Sequence, residues 1–179
     1  MKLTPIDDTT LCQVRFEDWL KKFSDLHEKA RAGKLSALDT RNYLGARNEL
    51  ARALLKKQQQ KVPEGLKARQ ALRAPAAIPV EVHLPGSVAR VLTQELWWGG
   101  FSAIVPPLGM PMDRLKFALT VAKGTPPIEG WARVVGDSAA GGSTRLTMEF
   151  EKLPEAELER IEFAVFDSVL TRLGPPGTT

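Results

Sequence analysis

The chain has little of what metal, redox and disulfide chemistry require. Its 179 residues include one cysteine and two histidines. A lone Cys12 cannot close an intrachain disulfide, and Cys12, His27 and His83 are too few and too scattered for a zinc cluster. No metal site is expected. Long apolar runs are also missing: the uncharged stretches are broken by Pro, Gly or Thr, and none supplies the ~18 apolar residues of a membrane span. Residues 1–12 lack the apolar core of a signal peptide, so the expectation is a cytoplasmic protein without a leader. What is present is a globular balance, 43% hydrophobic and 26% charged residues, which excludes a collagen-like or intrinsically disordered chain.

The net charge of +4 is unevenly placed. Residues 1–67 hold 14 Lys and Arg against 9 Asp and Glu, whereas residues 68–179 hold 11 against 12. The basic excess therefore belongs to the first third, where a solvated helix surface accounts for it as well as an acidic partner does. Nucleic acid is disfavoured as a partner of the remainder, which has a net charge of −1 and lacks a basic face studded with aromatics.

The apolar period changes near residue 60. Phe16, Trp19, Leu20, Phe23, His27 and Ala30 recur at helical spacing, and Gly33 is placed to stop the helix. Ser36 then stands three residues before Asp39, a variant of the capping box, and opens a second helix. Its apolar positions are Leu44, Leu50, Ala51, Leu54 and Leu55. The two form an antiparallel hairpin whose stripes must pack on each other, on the rest of the chain or on another subunit. A homodimer through these helices is one expectation, because the stripes offer more apolar surface than one seam needs.

Residues 58–65, Gln-Gln-Gln-Lys-Val-Pro-Glu-Gly, read as a linker. Beyond them the period is two. Val80, Val82 and Leu84 alternate with Glu81 and His83, and further strand-like runs cover 88–93, 101–105, 115–121, 128–135 and 144–150, separated by Gly and Pro turns. Six short strands at this spacing suggest a small barrel or sandwich. Pro154 and the acidic Glu155, Glu157 and Glu159 then open a final helix over 154–173 with the stripe Leu158, Ile161, Val165, Val169 and Leu173, ended by Gly174-Pro175-Pro176. The expected class is α+β: residues 1–60 a helical hairpin, 61–68 a linker, 69–179 an antiparallel β domain with a C-terminal helix.

No constellation for catalysis emerges. His27 falls on the apolar side of a helix and His83 on the polar side of a strand, and neither adjoins a nucleophile in a recognisable motif. The clustered carboxylates of the last helix suit its dipole. No Gly-rich phosphate loop is present. A non-enzyme without a cofactor is expected.

Two segments do stand out. Arg69-Gln70-Ala71-Leu72-Arg73 precedes the first strand, and Glu95-Leu96-Trp97-Trp98-Gly99-Gly100-Phe101 lies between the second and third. Their order and the 22-residue step from Arg73 to Glu95 resemble the two signatures of PilZ domains, the bacterial receptors for cyclic di-GMP: Arg-x-x-x-Arg, then Asp/Asn-x-Ser-x-x-Gly. Gly130-Trp131-Ala132-Arg133-Val134-Val135, Leu146-Thr147-Met148-Glu149-Phe150 and the final helix look like the family's later elements. The helical extension is similar to those preceding some delta-proteobacterial, especially myxobacterial, PilZ domains. The resemblance implies a six-stranded antiparallel PilZ-like β-barrel over residues 67–173 and cyclic di-GMP as the possible ligand. Arg69 and Arg73 would grip it, since guanidinium groups pair with phosphate and stack on bases.

The second signature departs from the family. Glu95 stands where Asp or Asn is expected, Trp97 replaces the small hydroxyl, and Gly100 matches. Two lost polar contacts at ~1–3 kcal/mol each weaken binding by roughly one to four orders of magnitude, against which stacking of an indole on guanine could return about 1–3 kcal/mol. The expectation is an adaptor that binds other signalling or motility proteins, with weak or absent ligand binding. The alternative is a working cyclic di-GMP receptor that changes shape on binding, and a weaker one is a nucleic-acid-binding barrel. Trp97 and Trp98 are the candidate partner-binding residues: neighbours on a strand alternate faces, so one ring should be exposed. Trp19 and Trp131 are expected in the core.

Overall fold

The computed structural model describes residues 13–61 and 70–174. Arg69 and the linker residues 62–68 lie outside the described residues. By its internal contacts the chain divides into two compact units, Met1–Leu72 with Leu170–Thr179, and Arg73–Val169.

In the first unit α1 (Gln13–Arg31) and α2 (Ala37–Gln59) form the hairpin. The α1 stripe is as the sequence suggests: Trp19, Leu20, Phe23 and His27 are buried. Gly33 takes φ +64°. The Lys34 amide returns to the Lys29 carbonyl at 2.9 Å and the Gly33 amide to Ala30 at 3.0 Å, which closes the helix end in a Schellman pattern. Ser36 caps α2, its side chain accepting from the Asp39 amide at 3.1 Å.

The buried face of α2 differs from the leucine stripe. It consists of Tyr43, Ala46 and Leu50, while Leu44 is 40% exposed and Leu38 60%. The ring of Tyr43 decides the phase. It stacks on Phe23 with centroids 5.8 Å apart, and its hydroxyl meets His27 Nδ1 at 2.8 Å. This gives His27 Nδ1 a partner, whereas the other polar group that the α1 stripe carries inward, Trp19 Nε1, is buried without a hydrogen bond among the described residues.

The second unit is a closed antiparallel barrel. Its strands are β1 (Ala74–Pro75), β2 (Pro79–Leu84), β3 (Ser87–Trp97), β4 (Gly100–Val105), β5 (Arg114–Leu119), β6 (Ile128–Ala140) and β7 (Ser143–Glu151). The order β3-β2-β5-β6-β7-β4 closes where β4 pairs again with β3, and the two-residue β1 adds to β3. Closure removes the exposed edges of an open sheet. A bulge between Thr93 and Glu95 bends β3 so that its first half pairs with β2 and its second with β4. Buried Thr93 secures the bend, accepting from the Ile78 amide at 3.0 Å and donating to the Ala76 carbonyl. Val80, Val82, Leu96, Phe101, Leu115, Leu119, Ile128, Leu146 and Met148 fill the interior around Phe117.

All six expected strands form. β6 and β7 run further than expected, to Ala140 and from Ser143, and are joined by Gly141-Gly142 at φ +54° and +82°. Two consecutive positive φ values make the tight hairpin turn that glycine favours. Gly136, Asp137 and Ser138 lie beyond the expected run 128–135, and a bulge at Val134/Gly136 carries them on in the ladder. Trp131 is not in the core: it is 44% exposed. The inward places beside it belong to the small Gly130 and Ala132, and a Cβ on Gly130 would lie 2.9 Å from the Leu153 side chain. Trp131 therefore faces out, under the Arg114 guanidinium at 4.3 Å.

α3 (Glu155–Leu173) follows β7, with Ile161, Ala164, Val165, Phe166 and Val169 buried. Arg160 ties it to the β5–β6 loop, donating to Glu157 and the Pro126 carbonyl at 2.6 Å and to Thr125 at 3.1 Å. No helix among the described residues is long and apolar enough to cross a membrane.

Candidate functional site

The second motif is not a loop between strands. Glu95 and Trp97 are the last outward positions of β3, Trp98-Gly99 is the turn, and Gly100 opens β4. Leu96 points into the core against Phe101, its register partner, so Glu95 and Trp97 share the outer face of the barrel. On that face Glu95 sits opposite Ser102 and Trp97 opposite Gly100. The glycine is required first by the Met148 backbone carbonyl, with which a Cβ at residue 100 would collide, and then by the tryptophan, whose Cζ2 would lie 2.7 Å away.

β1 positions the last residue of the first motif, Arg73, which directly precedes it. Its register sets Ala74 against Leu96 and Pro75 against Glu95, which aligns the preceding residue, Arg73, with Trp97. The guanidinium carbon lies 4.1 Å from the centroid of the Trp97 ring, in stacking geometry. Trp97 is thereby buried to 4% exposure although it points away from the core. Arg73 also pairs with Glu95, Nη1 to Oε2 at 3.8 Å.

The site contains a residue that the motifs do not include. Arg145 of β7 donates from Nη2 to the same Glu95 oxygen at 3.0 Å and to Ser102 Oγ at 3.3 Å. β7 pairs with β4, Ile104 opposite Arg145 and Ser102 opposite Thr147, so the outward phase of β7 brings Arg145 to Glu95 across 50 residues of sequence. Alternation along 144–150 marks Arg145 as outward-facing; only the strand order shows what it faces.

The structure thus unites Arg73, Glu95, Trp97 and Gly100. Of the two tryptophans offered as partner anchors, Trp97 is covered by Arg73, which withdraws it from that role, and Trp98 at the turn is 58% exposed. The histidines stand elsewhere, His27 bonded to Tyr43 in the hairpin and His83 on β2. Among the described residues no three metal-ligating side chains cluster.

No family model and no curated protein matches the sequence. Solved structures do match in shape. The inhibitor of motility MotI/DgrA of Bacillus subtilis aligns at 16% identity over 62% of this chain and 57% of its own, with a TM-score of 0.51. MrkH of K. pneumoniae, solved as a complex with c-di-GMP, aligns at 16% identity over 60% of this chain and 55% of its own, TM-score 0.50. The PilZ domain of YcgR from Escherichia coli, also with c-di-GMP, aligns at 15% identity over 59% of this chain and 95% of its own, TM-score 0.49. This chain spans little more than half the length of the first two proteins. At such identities the likeness is one of fold, and the fold is PilZ-like.

Proposed function

We propose that this PilZ-like chain is a signalling adaptor that acts through protein–protein contacts, with its cyclic di-GMP site filled by its own side chains. The observation that carries the reading is Trp97, 4% exposed beneath the Arg73 guanidinium. A guanidinium that stacks on an internal ring and pairs with an internal carboxylate already makes the two kinds of contact a purine and a phosphate would offer it. A dinucleotide must break both before it gains either. The MrkH structure holds c-di-GMP and MotI is an inhibitor of motility, which supports placing this chain in the same kind of signalling.

The surface offered to a partner is the β3–β4 turn. Trp98 is a large apolar side chain held 58% exposed on a tight turn, the kind of rigid aromatic that anchors interfaces. The reading assigns no catalytic residue and no cofactor. Calorimetric titration of the unmodified protein with cyclic di-GMP tests it. Binding weaker than about 100 μM is expected; a Kd near 1 μM would replace the adaptor by the receptor reading.

A further inference from the structure

We infer that Glu95 is the built-in occupant of an anion seat formed by Arg73 and Arg145, and that a phosphate group enters only by displacing this carboxylate. The inference rests on the reading of the site proposed above and deepens it by adding Arg145 to the residues that would hold the ligand.

The geometry centres on one atom. Glu95 Oε2 lies 3.0 Å from Arg145 Nη2 and 3.8 Å from Arg73 Nη1. A single oxygen facing two guanidinium groups reproduces the environment of a phosphate oxygen, because fork-shaped donors accept carboxylate and phosphate alike. The hydroxyl of the fully buried Ser102, 3.3 Å from Arg145 Nη2, helps to fix that guanidinium.

Composition separates this cluster from the other ion pairs of the barrel. Arg90–Glu81, Arg114–Glu151 and Arg133–Glu149 each join one arginine to one carboxylate. Here, among the described residues, two arginines, Arg73 and Arg145, converge on one carboxylate oxygen. Its carboxylate is also less solvated than theirs, with side-chain exposures of 16% for Glu95 and 26% for Arg73, while Arg145 is 42% exposed. Reduced solvation strengthens each interaction relative to an open surface pair. Replacing the carboxylate by a phosphodiester exchanges one negative charge for another and leaves the donors paired. The carboxylate holds the seat against any phosphate that does not bring further contacts.

Inorganic pyrophosphate tests the seat without the base-stacking question, since it has no ring to compete with Trp97. In the full chain the arginine Nε–Hε resonances report its binding. The unmodified protein should show no saturable shift up to millimolar pyrophosphate. Glu95→Gln, which keeps the shape and removes the charge, should bind it about tenfold more tightly or better. Adding Arg145→Gln to that variant should abolish the gain. A folded Glu95→Gln protein without a gain, or a gain that survives the loss of Arg145, overturns the inference. Should Glu95→Gln fail to fold by circular dichroism, Glu95→Asp, whose carboxylate is drawn back by one methylene, must gain in the same direction, and absence of a gain overturns the inference equally. Tight cyclic di-GMP binding by the unmodified protein is a different result and refutes the adaptor reading instead.

Discussion

Trp97 and Trp98 are adjacent in sequence and opposite in setting. One is 4% exposed beneath an arginine and against a glycine; the other is 58% exposed at a turn. Trp97→Ala should therefore cost about 3 kcal/mol in a denaturant melt, as for a buried large side chain, and Trp98→Ala less than about 0.5 kcal/mol. If Trp98 is the partner anchor, its loss should abolish partner capture while leaving the melt unchanged. The resemblance carried by the two motifs named Arg73, Glu95, Trp97 and Gly100 together, and the pairing of β1 with β3 and of β3 with β4 brings them to one place. Arg145 was not legible. Its proximity depends on β7 lying beside β4, a long-range pairing that no local pattern encodes. Trp131 was misplaced for a related reason: its size suggests burial, but Gly130 and Ala132 hold the inward phase.

At the scale of elements, capping and the phase of α1 were readable, and the phase of α2 was readable only in part. Ser36→Ala should cost about 1 kcal/mol by removing the cap of α2. The expected stripe of α2 shares Leu50 with the buried face but gives Leu44 the place that Tyr43 takes, because a tyrosine and an alanine look weaker than the leucines around them. The aromatic ladder supplies the missing term. Trp19, Phe23 and Tyr43 stack in series at 5.5 and 5.8 Å, and His27 joins them through a hydrogen bond. Tyr43→Phe keeps the stacking and removes the bond, so a loss of about 1 kcal/mol in chemical denaturation is expected. A near-zero change would show that the ring alone holds the hairpin. The phase also leaves Leu38 and Leu44 on the open side of α2, and these are the residues on which the proposed homodimer depends. Light scattering at micromolar concentration should give a dimer mass that Leu44→Glu reduces to that of a monomer. A monomer in the unmodified protein retires the self-association.

For the molecule as a whole, composition and period distinguished a helical part from a β part; six short runs with Gly and Pro between them left a small barrel or sandwich open, and only the resemblance of the two motifs to PilZ signatures pointed to the closed barrel that forms. Function was legible only as a family expectation. What the structure adds is Trp97 stacked beneath Arg73 and Glu95 paired with Arg73 and Arg145, and we propose that they occupy a ligand site, Trp97 where a base would stack and Glu95 where a phosphate would pair. The most direct test of that occupancy is a cyclic di-GMP titration by calorimetry, run side by side on the unmodified full chain and on Trp97→Ser with Glu95→Asp. The unmodified chain should give no saturable heat, the double variant should bind at about 10 μM or tighter, and Arg73→Ala added to it should return it to silence. Saturable micromolar binding by the unmodified chain, or silence from a folded double variant, would contradict the account.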